Sequence, residues 1–217
     1  RGMSSAASDV YKRQFYDWAN SAYSTTVMAG FFPIFFEKFY SNPNDVIQST
    51  YQLGLANSIS SIFIALVSPL LGAIADRGSA KKKLLIIFAF LGSLMTAALW
   101  LVQKGDWQLA VFFYIIATIG FMAGNIFYDS LLPSVAGREK VDYVSALGYS
   151  LGYLGGGLLF LINVLMYLHP DWFGIPDSST AIRISFVSVA IWWAIFTVPI
   201  IISVSYTHLR AHETDYY

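Results

Sequence analysis

Gly72-Ala-Ile-Ala-Asp76-Arg77-Gly-Ser-Ala-Lys81-Lys82-Lys83 stands between two uncharged runs, each about twenty residues long, the length needed to cross a bilayer. Four cations and one carboxylate gather in this one turn. A cluster of that kind resists transfer through hydrocarbon, so the loop is expected on the cytoplasmic side of a membrane. Every other loop then takes its side by counting outward from it.

Composition asks for the same solvent. The chain is 56% hydrophobic and 17% aromatic but only 12% charged, against about 25% charged in an ordinary soluble domain. A soluble protein of 217 residues needs a charged exterior that this sequence does not supply. A lipid bilayer is therefore the expected surrounding. The formal net charge of zero argues against a nucleic-acid partner, which favours a basic face. Cysteine is absent, which excludes disulfides and thiolate metal sites. The first apolar run is too long, and too acidic and aromatic at its start, for a secretory signal.

Six segments reach spanning length: 15–38, 51–76, 83–103, 109–133, 144–168 and 182–204. Backbone groups in hydrocarbon must be satisfied within the segment, and barrel strands would be near ten residues with strict alternation, so these are predicted as helices. The fold class is all-α, a polytopic membrane protein of six transmembrane helices. Arg77, Lys81, Lys82, Lys83, Arg138 and Lys140 fall in the second and fourth connectors, whereas Lys38, Lys104 and Arg183 belong to the first, third and fifth. Six against three places both termini and the even-numbered loops in the cytoplasm. Trp100, Trp107 and Trp172 then sit at the opposite interface, where indoles are favoured. The ends, 1–14 and 205–217, are polar, fit no period, and resemble translated sequencing-adaptor read-through. They are set aside as non-native-looking tails around a 15–204 domain that belongs to a longer parent protein.

The residues that could carry function are polar ones inside spans. Asp17, Asn20, Ser21 and Ser24 recur at three- and four-residue spacing and share one face of the first helix. Asn125, Tyr128 and Asp129 share a face of the fourth. Such faces either line a cavity open to the cytoplasm or hydrogen-bond helix to helix. Asn57, Ser58, Ser60 and Ser61 in the second helix, and Gly148, Gly152, Gly155, Gly156 and Gly157 in the fifth, read as packing contacts in lipid. Trp192 and Trp193 read as bulk, and His169 as a solvated loop residue. No charged side chain lies mid-span, so no proton relay is expected within this segment. No phosphate-cradling loop, no His-Glu-x-x-His and no nucleophile triad is present. Enzyme activity, a cofactor and a metal site are not expected.

Gly72-x-x-x-Asp76-Arg77 with its following glycine and lysines resembles the loop between helices 2 and 3 of the major facilitator superfamily, though Gly78 and Lys81–Lys83 are shifted from the family pattern. Tyr16-Asp17-Trp18-Ala19-Asn20-Ser21-Ala22-Tyr23, Phe127-Tyr128-Asp129-Ser130-Leu131-Leu132-Pro133 and the glycine-rich 147–157 are similar to the branch containing vacuolar amino-acid effluxers of the autophagy-related family. That resemblance covers nearly all of 15–204. It implies the amino-terminal half of a twelve-helix transporter, built from two inverted three-helix repeats. The carboxy-terminal six-helix half is then a missing partner, and a bacterial inner membrane is the implied location. It further implies alternating access for a small polar solute such as an amino acid, with Asp17, Asn20, Ser21, Ser24, Asn125, Tyr128 and Asp129 facing the substrate. Gly72, Asp76, Arg77, Lys81 and Lys82 would form a gating loop, and Gly148, Gly152, Gly156 and Gly157 a helix-packing surface. Tyr153 stands where the family's antiporter motif has proline, so that motif is incomplete. The alternative from another class is a six-helix scaffold that moves no solute.

Overall fold

A computed structural model describes residues 14–76, 80–136 and 141–203. Arg77, Gly78 and Ser79, the connector 137–140 with Arg138 and Lys140, Val204, and both set-aside tails apart from Gln14 lie outside the described residues. Among the described residues six long helices make up the bundle: α1 (14–40), α2 (Val46–Asp76), α3 (Lys81–Ala98), α4 (Trp107–Ala136), α5 (Val141–Leu168) and α6 (Ser178–Ser203). Short 3-10 turns, Leu99–Leu101 and Pro170–Phe173, follow α3 and α5. Among the described residues there is no strand. The protein is an all-α polytopic membrane protein of the expected class.

The helices start earlier than hydropathy alone suggests, because polar caps extend them into the interface. Asp45 accepts the Gln48 N–H at 2.9 Å and opens α2 before the apolar run begins. Asp177 accepts the Thr180 N–H at 2.8 Å and does the same for α6. Gly105 and Gly174 adopt positive φ, 90° and 67°, at the turns before α4 and α6, where a side chain would be strained.

α1 is wound differently from the others. Its stretches Tyr23–Phe31 and Phe36–Tyr40 have wide, π-type turns on either side of an α-turn, Phe32–Phe35. The Phe32 N–H accordingly reaches Val27 O, five residues back. Pro33, with no N–H to give, stands at that junction.

Packing arranges the six helices as two related threes. α1 and α4 run antiparallel, with Tyr16 beside Tyr128, Tyr23 beside Thr118 and Phe32 beside Tyr114. α2 packs on α4 as α5 packs on α1, α3 packs on α4 as α6 packs on α1, and α3 meets α6. That pattern maps 1–2–3 onto 4–5–6. Three is odd, so matching helices point in opposite directions, which is an inverted repeat.

Close crossings are made by glycine. A Cβ on Gly120 would sit 2.8 Å from Phe88 O, and one on Gly92 would strike the Trp193 ring. Trp193 is itself fully buried, while Ile47, Leu66, Leu94 and Ile202 are exposed on the outside of the bundle. An apolar exterior of this kind belongs in lipid.

The triple-lysine turn and the end of α4 share one end of the bundle, where Lys81 Nζ donates to Ser130 O at 3.1 Å. The start of α3 and the end of α4 therefore lie together. Trp100, Trp107 and Trp172 are all at the other end, in or beside the turns after α3 and α5. His169 stacks on Trp172 there, with ring centroids 4.1 Å apart.

Candidate functional site

Near the basic end, α1, α4 and α5 leave a cleft between them. Asp17, Asn20, Ser21 and Ser24 line it from α1, Phe121, Asn125, Tyr128 and Asp129 from α4, and Tyr149 and Tyr153 from α5. All seven polar residues singled out in the first and fourth helices thus meet around one space. Its volume is about 130 Å³, room for roughly four waters at about 30 Å³ each.

Two cross-links set the spacing of α1 and α4. Asn20 Nδ2 donates to Asn125 Oδ1 at 2.5 Å, and the Tyr128 hydroxyl donates to the Asp17 carboxylate. Asp17, Asn20 and Tyr128 are 8%, 4% and 3% exposed. The pairs are thus interhelical bonds and cavity wall at once. A carboxamide offers two donors and two acceptor positions, so each asparagine has hydrogen-bonding capacity beyond this bond. The described lining carries two carboxylates, two carboxamides, two serines and three tyrosines, with no Lys or Arg among them.

α5 comes this close to α1 because glycines stand where the two helices cross. A Cβ on Gly148 would collide with the Asp17 carboxylate; on Gly152 it would lie 2.5 Å from Ser21 Oγ, and on Gly156 2.8 Å from Ser21 O. Gly155 lies against the Trp18 ring. Gly157 faces open space, as does Gly72 at the end of α2. Small residues on α5 thus let the polar face of α1 approach its backbone directly.

Tyr149, Tyr153 and Phe121 are absent from the set expected from sequence. An aromatic in a spanning helix reads equally as lipid-facing or core, so only its placement beside Gly148 and Gly152 signals a cleft residue. Tyr149 and Tyr153 remain largely exposed although they line the cleft. Of the second-helix polar group, Asn57 accepts the Tyr114 hydroxyl at 2.9 Å, and Ser60 bonds back to Ala56 O. Trp192 donates its indole N–H to Trp18 O at 2.9 Å. Asp76 ends α2, Lys82 belongs to the first turn of α3, and Arg77 lies outside the described residues. Among the described residues no three metal-ligating side chains come together.

No solved structure matches the chain. The family profile described as "Vacuole effluxer Atg22 like" matches residues 44–214. An uncharacterized MFS-type transporter, YxiO, of Bacillus subtilis is 39% identical over 188 residues, covering 86% of this chain and 44% of that protein. An uncharacterized protein of Aquifex aeolicus is 29% identical over 69% of the chain and 37% of its own length. Autophagy-related protein 22 of Pichia angusta is 27% identical over 77% of the chain and 33% of its own length. The chain spans less than half the length of these relatives. The profile and the helical repeat lead to one statement: this chain belongs to the vacuole effluxer Atg22-like family.

Proposed function

We propose that this chain is the amino-terminal half of a secondary transporter that moves a small polar solute, of the amino-acid class by resemblance, through alternating access. The α1–α4–α5 cleft is its share of the substrate site. One observation carries the reading: seven polar side chains from two antiparallel helices, two carboxylates and two carboxamides among them, converge on a single cleft. Polar groups in a membrane are expensive unless they serve packing or a solute path. The volume supports a half-site. Small-molecule pockets commonly enclose about 300–1,000 Å³, and this cleft holds a little under half of the lower figure. A second wall is needed, and a carboxy-terminal six-helix half would bring it against exposed Tyr149 and Tyr153.

In this reading Asn20 and Asn125 supply neutral donors and acceptors, while Asp17 and Asp129 favour a cationic group on the solute. Gly72, Asp76, Arg77, Lys81 and Lys82 form the gating loop. The Lys81–Ser130 bond supports that role by tying the start of α3 to α4. Excess Lys and Arg at this end supports a cytoplasmic position for both termini, in a bacterial inner membrane.

The test is solute uptake by the complete transporter in liposomes. Asn125→Ala is expected to lower uptake about tenfold, the scale of one lost hydrogen bond to substrate, with only a slight change in thermal unfolding. Unaltered uptake would remove the asparagine pair from the site. Asp76→Asn is expected to change the rate of exchange between states while sparing substrate affinity.

A further inference from the structure

The end of the bundle opposite the triple-lysine turn holds a second cavity that the transport reading does not use. It has a volume of about 270 Å³ and lies between the end of α1, the α3–α4 turn, the end of α5 and the start of α6. Lys38 and Lys104 line it together with Ser178, Ser179 and the ring of Tyr167. Its other walls are apolar: Ile34, Phe35, Phe39 and Ile182.

The two lysines come from distant parts of the sequence. The backbone brings them together, since Gly105 N–H donates to Phe39 O at 3.0 Å and fastens the α3–α4 turn to the end of α1. Arg183 adds a third positive charge behind them. Its guanidinium lies 6.0 Å from the Phe39 ring and 4.7 Å from the Trp100 ring, and it donates to Trp100 O. The Arg183 Nε is buried without a hydrogen-bond partner. Asp177, which directly precedes Ser178, directs its carboxylate to the Thr180 N–H and hydroxyl.

Snorkelling to the interface accounts for a single lysine at the end of a span. It does not account for two lysines converging on one apolar-walled cavity. Ile34 is about half exposed on the outside of the bundle, so the apolar wall continues onto the lipid-facing surface. A ligand that fits has an anionic head for the lysines and a hydrocarbon tail for the wall. We propose that this cavity holds the phosphate headgroup of an anionic phospholipid from the leaflet at that end.

The chemistry shared with free phosphate is the oxyanion, and the test separates the two sources. The full chain in detergent is titrated with phosphatidylglycerol, phosphatidylcholine or inorganic phosphate, and bound molecules are counted by native mass spectrometry. One phosphatidylglycerol is expected to bind at least about tenfold more tightly than phosphatidylcholine, given roughly fivefold for each lysine close to an anionic headgroup. Lys38→Gln with Lys104→Gln is expected to erase that preference while leaving thermal unfolding in lipid-free detergent unchanged. Equal binding of the two lipids, or a preference that survives the double substitution, would overturn the proposal. So would complete displacement of the lipid by inorganic phosphate at millimolar concentration, which would mark a simple anion site.

Discussion

The seam between α1 and α4 is built in two ways along its length. At the basic end, Asp17 meets Tyr128 and Asn20 meets Asn125 through hydrogen bonds, around an open cleft. At the other end the same two helices are sealed by rings. Phe32 stacks on Tyr114 with centroids 4.1 Å apart and planes within 5°, and Phe35, Tyr40 and Phe186 close around them. Directional polar contacts cost little to separate in a membrane, because alternative partners are always near; such bonds average about 0.6 kcal/mol. Interlocked aromatic rings lose close-packed contacts that fluid lipid chains restore only in part. In the proposed transporter the sealed end is the rigid anchor, and the polar end is where solute or water intervenes.

The largest effect that would sharpen this contrast is at the anchor. Phe32→Ala should lower stability by about 3–5 kcal/mol, the usual range for emptying a buried phenylalanine site, as read from unfolding in mixed micelles. A small loss there would show that rings at the sealed end are not the main support. Next comes the glycine face. Gly148→Val should cost about 1–3 kcal/mol through overpacking and should also open the cleft by pushing α5 from Asp17. A variant that unfolds like wild type would mean that α5 yields at no cost.

Asn125→Ala should move stability by only about 0.6 kcal/mol while uptake drops, so that the polar end registers in function and barely in folding. The reverse pattern would make the pair a structural clamp. The smallest effect lies outside the spans, at Asp177. Hydrogen bonds from the Thr180 N–H and hydroxyl hold its carboxyl below the usual carboxylate range, with a lesser contribution from Arg183. Folding therefore favours the ionised form, and this support is complete above about pH 4 and fades as pH falls below that. Asp177→Asn, which keeps the cap but removes the charge, should melt slightly below wild type at pH 7, and the difference should narrow as the pH falls below about 4. A constant difference across that range would assign the effect to cap geometry instead of charge.

Much of this was readable from residues alone, for identifiable reasons. A carboxamide inside a spanning segment needs either a helix partner or a solute path, so Asn20 and Asn125 stood out, and period placed Asp17 and Tyr128 beside them. Span number and pairing of loop ends followed from Lys81–Lys83 and the connectors. Helix starts did not, because hydropathy ignores capping: Asp45 and Asp177 set them several residues upstream. The wide turns of α1 were hidden as well, since hydrogen bonds to the fifth residue leave no compositional mark. Tyr149 and Tyr153 were missed because a tyrosine beside glycine looks the same whether it borders lipid or a cleft.

The face that α5 turns to the cleft is self-similar. Gly148-Tyr149 is followed four residues later by Gly152-Tyr153, and Gly156 falls four residues further on. The repeat stops there. Advancing α5 by four residues, roughly 6 Å with a twist of roughly 40°, would bring Gly152 to Asp17 but would set Leu159 where Gly155 meets the Trp18 ring and Phe160 where Gly156 meets Ser21 O. The glycines therefore hold α5 at one axial setting against α1 and deny it a second.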